Sequence, residues 1–143
     1  LLNAYQRLHL VQKAIADNLK LKASDVEFKL PKPSYTIETL IYLQEKYPKN
    51  EFSIIMGSDS YSNITKWKNY ELLLNNYQII IYERPNFSVI PVVVDTKSIQ
   101  ILNAPLLEIS ATFIRSAIKN KKSIKYLVPD CVLDEIERNG YYR

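Results

Sequence analysis

With 143 residues, 47% of them hydrophobic and 24% charged, the chain has the balance of a soluble globular protein and the length of one domain. A net charge of +4 suits anionic ligands, but the lysines are scattered and do not form the basic, aromatic-studded stripe that nucleic acid binding calls for. No apolar run reaches the roughly 18–20 residues of a membrane span and no signal-peptide pattern is present, which excludes a membrane-spanning reading and makes the cytoplasm the default.

In chain order, Ala4, Leu8, Val11 and Ile15 recur at steps of three and four and predict a helix over residues 4–18. Val26, Phe28 and Leu30 alternate with polar neighbours as a short strand would, closed by Pro31 and Pro33. Ser34-Tyr35-Thr36 then leads into a helix with Ile37, Leu40 and Ile41 on one side, ended before Pro48. Residues 52–56 form a nearly continuous apolar run, as in a strand covered on both faces, and Gly57-Ser58-Asp59 breaks it. Tyr70, Leu72, Leu73 and Leu74 predict a helix ending near Asn75-Asn76. Strands are expected at Ile79–Tyr82, Val92–Val94 and Ile99–Leu102. A helix from Ser110 to about Lys119, a short one near Ser123–Leu127, and a last one from Pro129 to Gly140 complete the chain.

This alternation predicts an α/β fold: a Rossmann-like parallel sheet with helices on both faces and further helices at the C-terminus. Ligands of such folds lie beyond the carboxyl ends of the strands, here after residues 30, 56, 82 and 102. Each place carries polar or special residues: Ser34 and Thr36, Gly57 and Asp59, Arg84, and Ser110 to Arg115. The last group is the richest. Ser110 fits a helix N-cap, Thr112 falls in the first turn, and Arg115 can fork onto phosphate oxygens, so free amides, helix dipole and guanidinium together make a phosphate cradle. An ordinary capped helix with a solvated arginine has the same residues. Gly57 lets a backbone approach a ligand and Asp59 can accept from ribose hydroxyls, or the trio is a turn with a capping Asp. Trp67, the only tryptophan, stands in a polar stretch where it can stack on a flat ring or close a local cluster. Thr36 can bind a small anion or simply cap.

Other residues point nowhere in particular. His9 has no second histidine to partner it and reads as a surface or helix-packing residue, while Glu38 and Glu51 read as solvated charges. Cys131 is the only cysteine, which excludes an internal disulfide or a cysteine zinc site and suits a reducing compartment. No metal-ligand spacing or serine-nucleophile elbow is present, so the metal expectation is none built by the protein. With only two glycines, Gly57 and Gly140, the chain also lacks the glycine-rich loop of a dinucleotide binder.

Taken in order, Pro33-Ser34-Tyr35-Thr36-Ile37-Glu38-Thr39-Leu40, Gly57-Ser58-Asp59 with Trp67 eight residues on, Glu83-Arg84-Pro85, and Ile109-Ser110-Ala111-Thr112-Phe113-Ile114-Arg115 resemble the bacterial nicotinate mononucleotide adenylyltransferases. The likeness extends from the first helix to Tyr141-Tyr142, and its Ile-Ser-x-Thr-x-x-Arg element is fairly specific. It implies a single nucleotidyltransferase domain over residues 1–143 that transfers AMP from MgATP to nicotinate mononucleotide in NAD biosynthesis. It further implies that Trp67 stacks on the nicotinate ring, and that Thr36 with backbone amides near Trp67 and Lys68 takes its carboxylate. By the same resemblance Gly57 and Asp59 would line the adenosine ribose, and Ser110, Thr112 and Arg115 would hold the ATP phosphates, with Arg84 nearby. Mg2+ is carried in by ATP. Arg115 is the residue assigned to charge stabilisation during transfer.

The family's opening glycine-rich turn and His-x-Gly-His element are not in this sequence, and the chain starts on Leu1-Leu2-Asn3 instead of methionine. The resemblance therefore implies that about 45–50 residues, two βα units' worth, precede Leu1. Two other readings stand beside the lead: a related adenylyltransferase acting on nicotinamide mononucleotide or phosphopantetheine, and a non-catalytic nucleotide-binding domain. Expected partners are ATP and nicotinate mononucleotide, with no nucleic acid and no membrane; a homo-oligomer stays open.

Overall fold

The computed structural model describes residues 1–85, 87, 99–102 and 104–143. The chain gathers into two compact units, one of residues Leu1–Phe28 with Ile109–Arg143 and one of Lys29–Glu108. The architecture is the expected α/β one, a Rossmann-like parallel sheet accompanied by helices.

In the first unit, α1 (Ala4–Ala14) opens on a reciprocal cap: Asn3 Oδ1 accepts from the Gln6 amide at 2.9 Å and Gln6 Oε1 from the Asn3 amide at 3.1 Å. The helix is shorter than its apolar spacing predicts. It ends at Ala14, and Asn18, a weak helix former, turns the chain with its side chain bonded to the Lys20 amide. The strand expected at Val26–Leu30 is instead a single 3-10 turn over Val26–Phe28. Local bonds win there: Phe28 N–H donates to Asp25 O at 2.9 Å and Val26 N–H to Ser24 Oγ at 3.3 Å.

Further along, α5 (Ala111–Lys119) and α6 (Asp130–Asn139) join α1 around Ala117, Ile124, Val132 and Ile136. The expected helix at Ser123–Leu127 is a turn closed by a bridge between Lys125 and Val128, with Ser123 Oγ taking the Lys125 amide. Pro129 stands just before α6 and Gly140 just after it, at φ +63°, a conformation that suits glycine because it has no Cβ. The Tyr141 amide reaches back to Ile136 O and closes the helix end. His9 and Lys13 of α1 both meet Glu135 of α6, at 3.4 and 3.1 Å, so His9 is a helix-packing residue as expected. The Lys13 hydrogen bond holds the Glu135 carboxyl below its ordinary range.

In the second unit, α2 (Thr36–Lys46) precedes the strand β1 (Ser53–Gly57). A one-turn helix α3 (Ser58–Tyr61), a 3-10 turn (Ile64–Lys66) and α4 (Tyr70–Asn76) follow. The strands β2 (Gln78–Tyr82) and β3 (Ile99–Leu102) complete the unit. The order β1-β2-β3 is parallel throughout, in a register that pairs Ile54 with Ile79 and Ile79 with Ile99. The strand expected at Val92–Val94 lies outside the described residues.

Period-two alternation places Ile54, Met56, Ile79 and Ile81 on one face, packed with Tyr61, Ile64 and Leu74. Ile37 and Leu40 of α2 pack with Leu73 and Tyr77 into an adjoining cluster. Ile79 and Ile81 are wholly buried, each contributing about 1.5–3 kcal/mol by removal from water. The double coverage expected of residues 52–56 does not hold, because Ile55 on the opposite face is 73% exposed.

Candidate functional site

The carboxyl ends of β1 and β2 bring three expected residues together. Asp59 Oδ2 lies 4.0 Å from Arg84 Nε, and Gly57 lies beside both. The φ of Gly57 is an ordinary −76°, but a Cβ there would meet Asp59 Oδ1 at 2.3 Å and Arg84 Cδ at 3.0 Å, so a larger residue would displace these two side chains. Asp59 is not the cap of α3; Gly57 occupies that position.

Ser58, which sequence reasoning passed over, holds this corner. It is wholly buried, and its hydroxyl accepts from the Arg84 amide at 2.9 Å, tying the end of β2 to the start of α3. Ser62 Oγ in turn donates to Ser58 O at 2.7 Å. The only clue in the sequence was its place between Gly57 and Asp59.

A second group forms at the start of α2. Tyr35 occupies the N-cap position without a side-chain cap bond. Its carbonyl accepts from the Glu38 and Thr39 amides, while the Thr36 and Ile37 amides and the Thr36 hydroxyl have no partner among the described residues. Thr36 is therefore in the first turn and does not cap. Donors left bare at a helix N-terminus favour an anion.

These groups open into a cavity of about 290 Å3 lined by Ser34, Tyr35, Thr36, Lys66, Trp67, Lys68 and Leu73. Trp67 packs against the two apolar clusters, which meets its reading as a residue closing a local cluster, and it also lines this cavity. Of the backbone amides near Trp67 and Lys68, that of Trp67 is engaged with Ile64 O at 2.9 Å, and that of Lys68 has no partner among the described residues.

The Lys68 ammonium lies 2.5 Å from Glu38 Oε1 and 4.5 Å above the Tyr35 ring. Glu38 is exposed, as its reading as a solvated charge expects, and is also the ion-pair partner of Lys68. The hydrogen bond to Glu38 holds the Lys68 amine above its ordinary lysine value, so it stays protonated through the neutral range.

The third group lies in the other unit, at the start of α5. Ser110 is the N-cap, its Oγ accepting from the Phe113 amide at 3.1 Å. Arg115 Nη2 donates to Thr112 Oγ1 at 3.2 Å and meets no carboxylate among the described residues. The Ala111 and Thr112 amides have no partner among those residues either. A roomier cavity of about 590 Å3 in the same unit, lined by Ile118, Lys121, Ile124 and Ile136 among others, touches none of these side chains.

Among the described residues no helix is long and apolar enough to cross a membrane, and no group of three His, Cys, Asp or Glu could hold a metal ion.

Comparison with known proteins adds the family. The cytidylyltransferase-like family matches residues 1–117. A relative from Flavobacterium psychrophilum named "Probable nicotinate-nucleotide adenylyltransferase" is 51% identical over 144 residues, covering 100% of this chain and 75% of its own length. Relatives of the same name from Flavobacterium johnsoniae and Cytophaga hutchinsonii are 48% and 46% identical, covering 100% and 99% of this chain and 75% and 73% of their own.

Among solved structures, the nicotinic acid mononucleotide adenylyltransferase of Plasmodium falciparum complexed with APC superposes with a TM-score of 0.79. It is 21% identical, covering 99% of this chain and 77% of that one, a likeness of fold. With the motifs in place at their expected spacings and this agreement along the whole chain, the protein belongs to the cytidylyltransferase-like family and, within it, to the nicotinate-nucleotide adenylyltransferases.

Proposed function

We infer that the protein is a nucleotidyltransferase that moves AMP from ATP to nicotinate mononucleotide, yielding deamido-NAD and pyrophosphate in NAD biosynthesis. The carrying observation is the identity of 46–51% to relatives of that name across nearly all of the chain. In support, first-turn amides without a partner among the described residues stand near a cation both at α2, with Lys68, and at α5, with Arg115. We read residues 1–143 as parts of one nucleotidyltransferase domain, in keeping with a family match that runs from the first unit through the second and into α5.

In the reaction an oxygen of the mononucleotide's phosphate attacks the α-phosphorus of ATP. One P–O bond forms, the bond to the β-phosphate oxygen breaks, and pyrophosphate leaves with its electron pair. The nucleophile is already an anion and needs no strong base, so the protein's work is positioning and charge stabilisation. Arg115 and the first turn of α5, with Ser110 and Thr112, hold the ATP phosphates. Gly57 and Asp59 receive the adenosine ribose, and Arg84 adds charge beside Asp59. Trp67 stacks on the nicotinate ring, while Thr36 and the Lys68 amide take its carboxylate. Mg2+ comes with ATP as its phosphate complex, neutralising charge there. An exposed, unpaired Cys131 is at home in a reducing compartment, which supports the cytoplasm as the place of work.

The test is pyrophosphate release from ATP by the full-length protein with either mononucleotide. Release with nicotinate mononucleotide at a kcat/KM well above that with nicotinamide mononucleotide is expected. No release with either overturns the assignment.

A further inference from the structure

We propose that the Lys68 side chain, shared between Glu38 and the ligand, sets the preference for an acidic over an amide ring substituent. This rests on the pyridine-mononucleotide reading above and names the device that decides its selectivity. Lys68 enters that reading only through its backbone amide; its ammonium is a separate group with a separate chemistry.

Lys68 lines the same cavity as Thr36 and Trp67. It is fixed by two contacts from α2 and the residue before it, the Glu38 carboxylate at 2.5 Å and the Tyr35 ring at 4.5 Å. Both partners of the ion pair are exposed, 43% for Lys68 and 38% for Glu38, so the pair is screened and worth little by itself. Lys68 can therefore tilt toward an incoming carboxylate at small cost. Lys66, the other lysine of the cavity, donates to Asn63 Oδ1 at 2.9 Å, a neutral partner on its own turn.

The consequence lies in the charge balance at the mouth. An acidic ring substituent shares Lys68 with Glu38, and one cation bridges two carboxylates. A carboxamide offers no charge, leaving the ammonium on Glu38 and gaining only neutral hydrogen bonds. Without Lys68, Glu38 faces the acid ligand unneutralised and repels it. Glu38 thus makes the preference depend on Lys68 more steeply than a lone lysine would.

The experiment measures kcat/KM for nicotinate and nicotinamide mononucleotides, with saturating ATP, in the full-length protein and its variants. Lys68→Met should lower the acid-to-amide ratio about tenfold or more, the scale of one lost charge-assisted hydrogen bond. Lys68→Arg should restore most of it, and Lys68→Met combined with Glu38→Gln should recover part of it by removing the repulsion. Lys66→Met, an equal change of net charge, should move the ratio less than a third as far.

An equal loss on both substrates in Lys68→Met, leaving the ratio unchanged, overturns the proposal. So does a Lys66→Met effect as large as that of Lys68→Met, or a double variant no better than the single one. If the unaltered protein turns over neither substrate, it is the underlying function that fails, a result distinct from all of these.

Discussion

Two helix N-termini in this molecule face the same physical problem and solve it differently. Both α2 and α5 leave two first-turn amides without a partner among the described residues: Thr36 and Ile37 in one, Ala111 and Thr112 in the other. At α5 the cap is filled by Ser110, and a permanent cation, Arg115, rests on a neutral hydroxyl. At α2 the cap position holds Tyr35, which makes no cap bond, and the nearby cation Lys68 is already paired with Glu38. A guanidinium that meets no carboxylate among the described residues suits a polyanion. Bare amides with a compensated ammonium suit a single carboxylate on a flat ring, where too much charge would admit the wrong anion.

The largest expected effect concerns the α5 side. Arg115→Ala should cut turnover about 10²-fold or more, roughly 2.7 kcal/mol of transition-state stabilisation, measured as pyrophosphate release with both substrates saturating. A rate near that of the unaltered protein would remove α5 from the phosphate role and leave an ordinary capped helix.

Next comes the ring side. Trp67→Ala should raise the KM for nicotinate mononucleotide about tenfold, within the range of one lost stacking contact, while the KM for ATP moves far less. The protein should also melt lower, because Trp67 packs on both apolar clusters. Trp67→Phe separates the two effects by keeping a ring and much of the packing. Equal changes in both KM values would erase the distinction between the two sites.

Ser58→Ala sharpens the picture at the strand ends. It strands the part-buried Arg84 amide and should cost about 1 kcal/mol in denaturant unfolding. The KM for ATP should rise with it if Arg84 and Asp59 serve the nucleotide. An unchanged unfolding midpoint would mean the amide finds another acceptor.

The smallest effects come from exchanging the caps. Ser110→Ala should cost about 1 kcal/mol, whereas Tyr35→Ser, which gives α2 the cap it lacks, should gain a similar amount. The latter should also raise the KM for nicotinate mononucleotide, since the new hydroxyl competes for the bare amides. A gain in stability without that rise would show the α2 amides to be uninvolved in binding.

Local chemistry was legible in the sequence. Apolar spacing found α2, α4 and α5 to within a few residues, Pro129 and Gly140 bracketed α6, and short aliphatic runs found β1, β2 and β3, because such signals are written directly in one stretch of chain. The Ser110 cap and the Gly140 stop were visible for the same reason. Where sequence reading failed, neighbouring side-chain and backbone bonds outweighed pattern: Ser24 and Asp25 bend Val26–Phe28 into a turn, and Ser123 does the same to the residues after it.

By itself, then, the sequence determined the α/β class, the family motifs and the residues that carry charge and rings. Only the tertiary structure decided how those residues are paired. Glu38 and Lys68 are thirty positions apart, and Ser58 and Arg84 twenty-six, so no local rule connects either pair. The same holds for exposure: Ile55 belongs to an apolar run yet faces outward. Pairing and burial depend on which distant segments the fold brings alongside, and a linear pattern carries the periodicity of one segment but not the identity of its neighbours.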